Sequence, residues 1–130
     1  MNDRDALFLR HVLDAIADIQ AFTVDGRQAF VADRKTQSAV IRQLEIIGEA
    51  VNNLSMELTR SEPATPWRQI AGARDRLIHA YFSVDLDAVW SMVEQDLSAL
   101  QANVQRILAA ASLGAHCNPG QGGDQGFRGE

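Results

Sequence analysis

The stretch Val40-Ile41-Arg42-Gln43-Leu44-Glu45-Ile46-Ile47-Gly48-Glu49-Ala50-Val51-Asn52-Asn53-Leu54-Ser55-Met56-Glu57-Leu58 decides the fold. Val40, Leu44, Ile47, Val51, Leu54 and Leu58 step by four, three, four, three and four residues. That alternation keeps one apolar seam on a single side of a helix for more than two heptads, as antiparallel bundle packing requires. It predicts one long helix from about Arg34 to Leu58. Gly48 lies beside the seam and costs helix propensity of about 1 kcal/mol against alanine. Its expected return is the close approach of another helix, such as one across a dimer interface.

The same arithmetic extends outward. Phe8, Val12, Ala15, Ile19 and Phe22 repeat the four-and-three spacing and predict a first helix from near Asp3 to about Phe22. Val24-Asp25-Gly26 breaks it, with Gly26 supplying the turn, and a short helix from Arg27 to Ala32 offers Phe30 and Val31 to the core. After a connection over Ser61 to Thr65, Thr65-Pro66 reads as the N-cap and first residue of a brief helical turn. Trp67 and Ile70 are expected to cover an end of the core, and Gly72 to loosen the backbone. A further helix is expected from Arg74 to about Phe82, with Ser83-Val84-Asp85 capping the next. The last helix, Leu86 to about Ala111, carries Leu86, Trp90, Val93, Leu97, Leu100, Val104 and Ile107 at the bundle spacing. No strand pattern or internal repeat appears. The expectation is an all-α antiparallel bundle of about four to five helices over residues 1–112. Residues 113–130, rich in glycine, hold too little apolar surface to order themselves and read as a flexible tail.

Length and composition set bounds. The chain of 130 residues suits one domain with one core, and 46% hydrophobic with 22% charged residues is ordinary for a globular protein. No apolar run reaches a membrane span, and Met1-Asn2-Asp3-Arg4-Asp5 lacks the start of a secretory signal, so no membrane association and a cytoplasmic location are expected. Cys117, the single cysteine, cannot form an internal disulfide, and the adjacent His116 and Cys117 have no matching pair of zinc ligands. Neither a metal nor another cofactor is expected. The net charge of −5 argues against broad electrostatic coating of a duplex. RNA handling would have to rest on a small local basic site.

Chemistry concentrates in Arg74-Asp75-Arg76-Leu77-Ile78-His79-Ala80-Tyr81. Arginine clamps phosphate, histidine moves protons near neutral pH, and tyrosine carries a modifiable hydroxyl, a set suited to a phosphodiester. On an ideal helix Leu77, Ile78, Tyr81 and Phe82 share one side with Arg74 at its centre. His79 lies about 140° from Arg74, so one straight helix does not aim both at one phosphate. Either Arg74 swings in from the helix start, or a two-fold interface pairs motif helices from two protomers. A plainer assignment stands beside these: His79 bonded to a carbonyl, Arg74 bridging to Glu45 or Asp75, and Tyr81 in the core. Arg42, Glu45, Glu49, Asn52 and Asn53 flank the central seam and could line a cleft, where Glu45 could orient Arg74 or His79. His11, beside Asp14 and Asp18, reads as exposed.

Three segments together resemble the HepT family, ribonuclease toxins of the HEPN superfamily. They are Ala39 through Ala50, Pro66-Trp67-Arg68-Gln69-Ile70-Ala71-Gly72, and Arg74 through Tyr81 with Phe82 and Asp85-Leu86 behind it. Their order and spacing cover about residues 4 to 108. The resemblance implies an α-helical homodimer whose motifs meet at the interface. It implies a metal-independent endoribonuclease acting on cellular RNA, with tRNA a reported substrate class. It further implies a toxin paired with an MNT-type nucleotidyltransferase antitoxin that transfers AMP to the motif tyrosine, here Tyr81. Catalysis would fall to Arg74 and His79, with Tyr81 also open to RNA contact and Glu45, Asp75 and Asn52 in support. The family often has asparagine after the motif arginine; this chain has Asp75, which adds negative charge there. The alternative is a non-catalytic module, or the antitoxin itself, that grips a nucleotidyltransferase partner.

Overall fold

The structure, a computed structural model, describes residues 1–72 and 86–117, with side chains described through residue 112. Every regular element among the described residues is helical: α1 (Asp3–Phe22), α2 (Arg27–Ala32), α3 (Arg34–Asn52), α4 (Met56–Ser61), α5 (residues 67–72), α6 (Leu86–Ser91), a π-helical turn (Met92–Asp96) and α7 (Leu97–Cys117). The all-α bundle is therefore observed. α1 lies along α3 as the principal pair, α7 covers α1, and α2 packs on α3.

Asn2 starts α1, its side chain accepting the Asp5 amide at 2.7 Å. The buried face holds Leu9, Val12, Ala15, Ile16 and Ile19, so it centres one residue away from the expected stripe. Phe8 only packs against the core's edge and Phe22 is 42% exposed. Thr23 ends the helix, and Gly26 turns the chain at φ +91°, a left-handed conformation that glycine adopts without a Cβ penalty. Of the α2 pair, Phe30 is buried and Val31 is 45% exposed. A six-residue helix docked by one face has room for one anchor.

Every position of the central seam is buried, Leu54 and Leu58 included. The expected single helix nevertheless ends at Asn52, and Leu58 belongs to α4. Polar groups break it. The Asn53 side chain donates to the Glu49 carbonyl at 2.8 Å, and Ser55 caps α4 by accepting from the Leu58 amide at 3.2 Å. The buried Asp5 carboxylate holds the break in place, accepting the Ser55 amide at 2.9 Å and the Ser55 hydroxyl at 2.6 Å. The side chains keep their seam while the backbone turns.

The last helix also departs from expectation. Leu97, Leu100, Val104 and Ile107 are buried as predicted, but the buried residue before them is Val89, with Trp90 and Val93 only partly covered. In an unbroken α-helix Val89 and Leu97 would sit about 80° apart. The π turn, closed by the Leu97 amide donating to the Met92 carbonyl, spends one extra residue and returns both to one face. α7 then continues through Gly114 to Cys117, past the expected end near Ala111.

Candidate functional site

Arg74, Asp75, His79 and Tyr81, with the helix expected from Arg74 to Phe82 and its Ser83–Asp85 cap, lie outside the described residues. What the structure fixes is both shores of that stretch, α5 up to Gly72 and α6 from Leu86. Thr65 does not cap α5 through its side chain, because its buried hydroxyl has no hydrogen-bond partner. Instead Trp67 anchors the segment. Its ring is buried and its Nε1–H donates to the Glu62 carbonyl at 3.0 Å. The Glu62 carboxylate in turn accepts from Arg106 of α7 at 2.7 Å, so the start of α5 is tied through Glu62 to α7. Ile70 packs against the core's edge, as expected. On the other shore, Arg27 of α2 pairs with Asp87, and Trp90 lies against Phe30 with ring centroids 5.4 Å apart.

Two clefts flank α5 and share Pro66 and Gln69. The first, about 490 Å³, runs between Leu44 and Ile47 of α3 and the π turn, where Asp96 is its charged residue. The second, about 670 Å³, lies between the C-terminal end of α3, α4 and α5, with Asn52, Thr59, Arg68 and Gln69 as its polar lining. Glu45 lies on α3 next to this ground, but its nearest cation among the described residues is Arg42, at 3.8 Å one helical turn away. Such an exposed pair contributes about 0–1 kcal/mol. Of the polar residues flanking the seam, Asn52 reaches a cleft, Asn53 is occupied in capping, and Arg42 pairs with Glu45. His11 is exposed, its ring edge-on to Phe8. Among the described residues no cluster of three or more His, Cys, Asp or Glu side chains could hold a metal ion. No helix among them is long and apolar enough to cross a membrane.

Sequence reasoning missed Arg68, which stood in a quoted motif without a role, and the π turn. The first had a signal, a solvent-side cation two residues after a proline helix start. The second did not, because the residues on either side still fit an unbroken α period.

A family model described as "Ribonuclease HepT-like" matches residues 12–107, most of the described bundle and all of Arg74 to Tyr81. The chain belongs to the HepT-like ribonuclease family. A relative from Thermococcus cleftensis named "Probable ribonuclease HepT" is 43% identical over 101 residues, covering 77% of this chain and 92% of its own. Two Methanocaldococcus jannaschii proteins carrying the name "Putative RNase" are similar as well. One is 45% identical over 66% of this chain and 72% of its own length. The other is 35% identical over 82% of this chain and 100% of its own. No solved structure matches. The HepT-like match extends from α1 to α7 and its bounds include the stretch between α5 and α6.

Proposed function

We propose that this chain is a metal-independent endoribonuclease, the toxin of a type II/VII-like toxin–antitoxin pair, that cleaves cellular RNA, tRNA included. The observation that carries the reading is the family match over residues 12–107, which includes the whole R-x4-H-x-Y motif. In the proposed reaction the ribose 2′-oxygen attacks the adjacent phosphorus and the bond to the 5′-oxygen breaks. His79 takes the 2′-hydroxyl proton as general base, and the facing His79 of a homodimer returns a proton to the leaving 5′-oxygen. Arg74 stabilises the charge that builds on the phosphoryl oxygens. The products are a 2′,3′-cyclic phosphate and a 5′-hydroxyl. No step requires a metal or another cofactor.

Tyr81 is the control point of the same proposal. An MNT-type nucleotidyltransferase antitoxin transfers AMP from ATP to its hydroxyl, with release of pyrophosphate, adding bulk and negative charge that repel RNA. Glu45, Asp75 and Asn52 take supporting positions. The division into a helical domain over 1–112 and a tail over 113–130 belongs to this reading too; residues 118–130 lie outside the described residues. The net charge of −5 and Asp75 favour a second reading, a non-catalytic module or antitoxin that grips the nucleotidyltransferase.

Expression of wild type beside His79→Ala and Arg74→Ala tests the first reading. The wild type should arrest growth and cut RNA in EDTA, and both variants should do neither. Variants as toxic and as active as wild type would mean that the site is misassigned. A stable complex with the partner and no cleavage under any condition would establish the second reading.

A further inference from the structure

The cleft walled by Asn52, Arg68 and Gln69 has a composition unlike the rest of the chain. The protein carries 17 acidic and 12 basic residues, yet among the described residues this lining holds an arginine and no carboxylate. Arg27, Arg42 and Arg106 are each engaged by an acid; Arg68 is exposed and, among the described residues, has no ion-pair or hydrogen-bond partner. Around it stand two primary amides, each offering a donor and an acceptor side by side, the pattern that matches a base edge. Met56, 64% exposed, adds an adaptable apolar surface to the same lining. Trp67 is committed elsewhere, since its indole is buried and its N–H donates to the Glu62 carbonyl.

We propose that this cleft is a binding site for single-stranded RNA, with Arg68 on a backbone phosphate and Asn52 and Gln69 on the edge of an unpaired base. The inference rests on the ribonuclease reading and assigns the form of the RNA that the protein takes. Paired RNA keeps its Watson–Crick edges engaged and its major-groove edges in a deep, narrow groove that side chains do not read, whereas an unpaired strand presents both. One cation in the described lining suits a local contact on a splayed nucleotide. It does not suit the row of phosphates on a duplex face. Asp96 gives the cleft on the other side of α5 the wrong sign for a polyanion.

The test uses the full-length protein and a fluorescent, mixed-sequence single-stranded RNA oligomer, with cleavage and anisotropy read in parallel. Arg68→Ala should raise KM about tenfold and leave kcat within about twofold, the signature of lost ground-state binding. Its plot of log affinity against log salt should become shallower by about 0.7, the value of one single-strand phosphate contact. Arg68→Lys should recover most of the affinity and the slope, because a point charge still meets the phosphate. Asp96→Asn should change neither. If Arg68→Ala keeps wild-type KM and salt slope while His79→Ala abolishes cleavage, the cleft proposal fails and the ribonuclease reading stands. A wild type that cuts no RNA sinks both. Unchanged RNA binding with weakened binding of the nucleotidyltransferase would make the cleft a protein dock and overturn the proposal.

Discussion

On one side of α5, Leu44 and Ile47 of the core meet the π turn and its Asp96; on the other, Asn52 and Arg68 stand in solvent beside exposed Met56. The two clefts share Pro66 and Gln69, so the difference comes from what faces them. The first has buried Leu44, Ile47, Leu97 and Leu100 in its floor and exposed Gln95 and Asp96 at its rim. The second lies where α3 stops and the Asp5–Ser55 contacts turn the chain, and its lining has polar groups left to spend. Both linings include core residues, and the proposed recognition falls to the side that carries Arg68.

The largest expected effect tests whether chemistry separates from both clefts. His79→Ala should lower kcat by a factor of about 1,000, with RNA affinity and melting temperature near wild type. A parallel loss of affinity would mean that His79 contributes to the RNA cleft as well.

The next contrast concerns stability alone. Leu44→Ala should cost about 3 kcal/mol in denaturant unfolding, the value of a buried leucine replaced without collapse of the site. Asn52→Ala on the other side should stay within about 0.5 kcal/mol. Equal losses would erase the distinction between the clefts.

A smaller effect probes the π turn. Deleting exposed Glu94 leaves Val89 and Leu97 within about 20° on a regular α-helix, so the flanking faces stay in phase and the cost should be about 1 kcal/mol. Deleting exposed Ala102 instead rotates Val104 and Ile107 out of the core by about 100° and should cost more than about 4 kcal/mol. Similar melting temperatures for the two deletions would contradict the one-residue account of the turn.

The smallest effect lies at the N-terminus of α3, away from both clefts. The Asp33 carboxyl is held below its usual value near 3.8, first by the Thr36 hydroxyl at 2.9 Å and then by the Lys35 amide at 3.0 Å. A depressed carboxylate stabilises the fold above its unfolded value, and that contribution fades as pH falls through the folded one. Asp33→Asn should thus be slightly less stable than wild type at about pH 5, with the gap closing toward about pH 2. A gap independent of pH would remove Asp33's charge from the account.

Much of this was legible in the chain. The four-and-three spacing located α1 and the buried positions of α3, because burial of one helix face is a local, periodic property. Gly26 marked its turn for the same reason, since only its own φ was at stake. The end of α3 was written as Asn52-Asn53 and Ser55, but the apolar seam runs through it uninterrupted and outweighed those polar signals. Asp5, a first-turn acid by sequence, is the buried partner of Ser55 some fifty residues away, and no local pattern carries that distance.

The sequence by itself determined the helical class, the seam, the family and the candidate chemistry of Arg74, His79 and Tyr81. Those depend on residue types at fixed spacings along one chain. Only the tertiary structure decided where α3 breaks, that α6 and α7 share a face through a π turn, and that Asn52, Arg68 and Gln69 border one cleft. Each of these is settled by which elements meet across the bundle. Such contacts select among backbone alternatives that differ by one residue of register or one hydrogen bond, differences too small for local propensity to resolve.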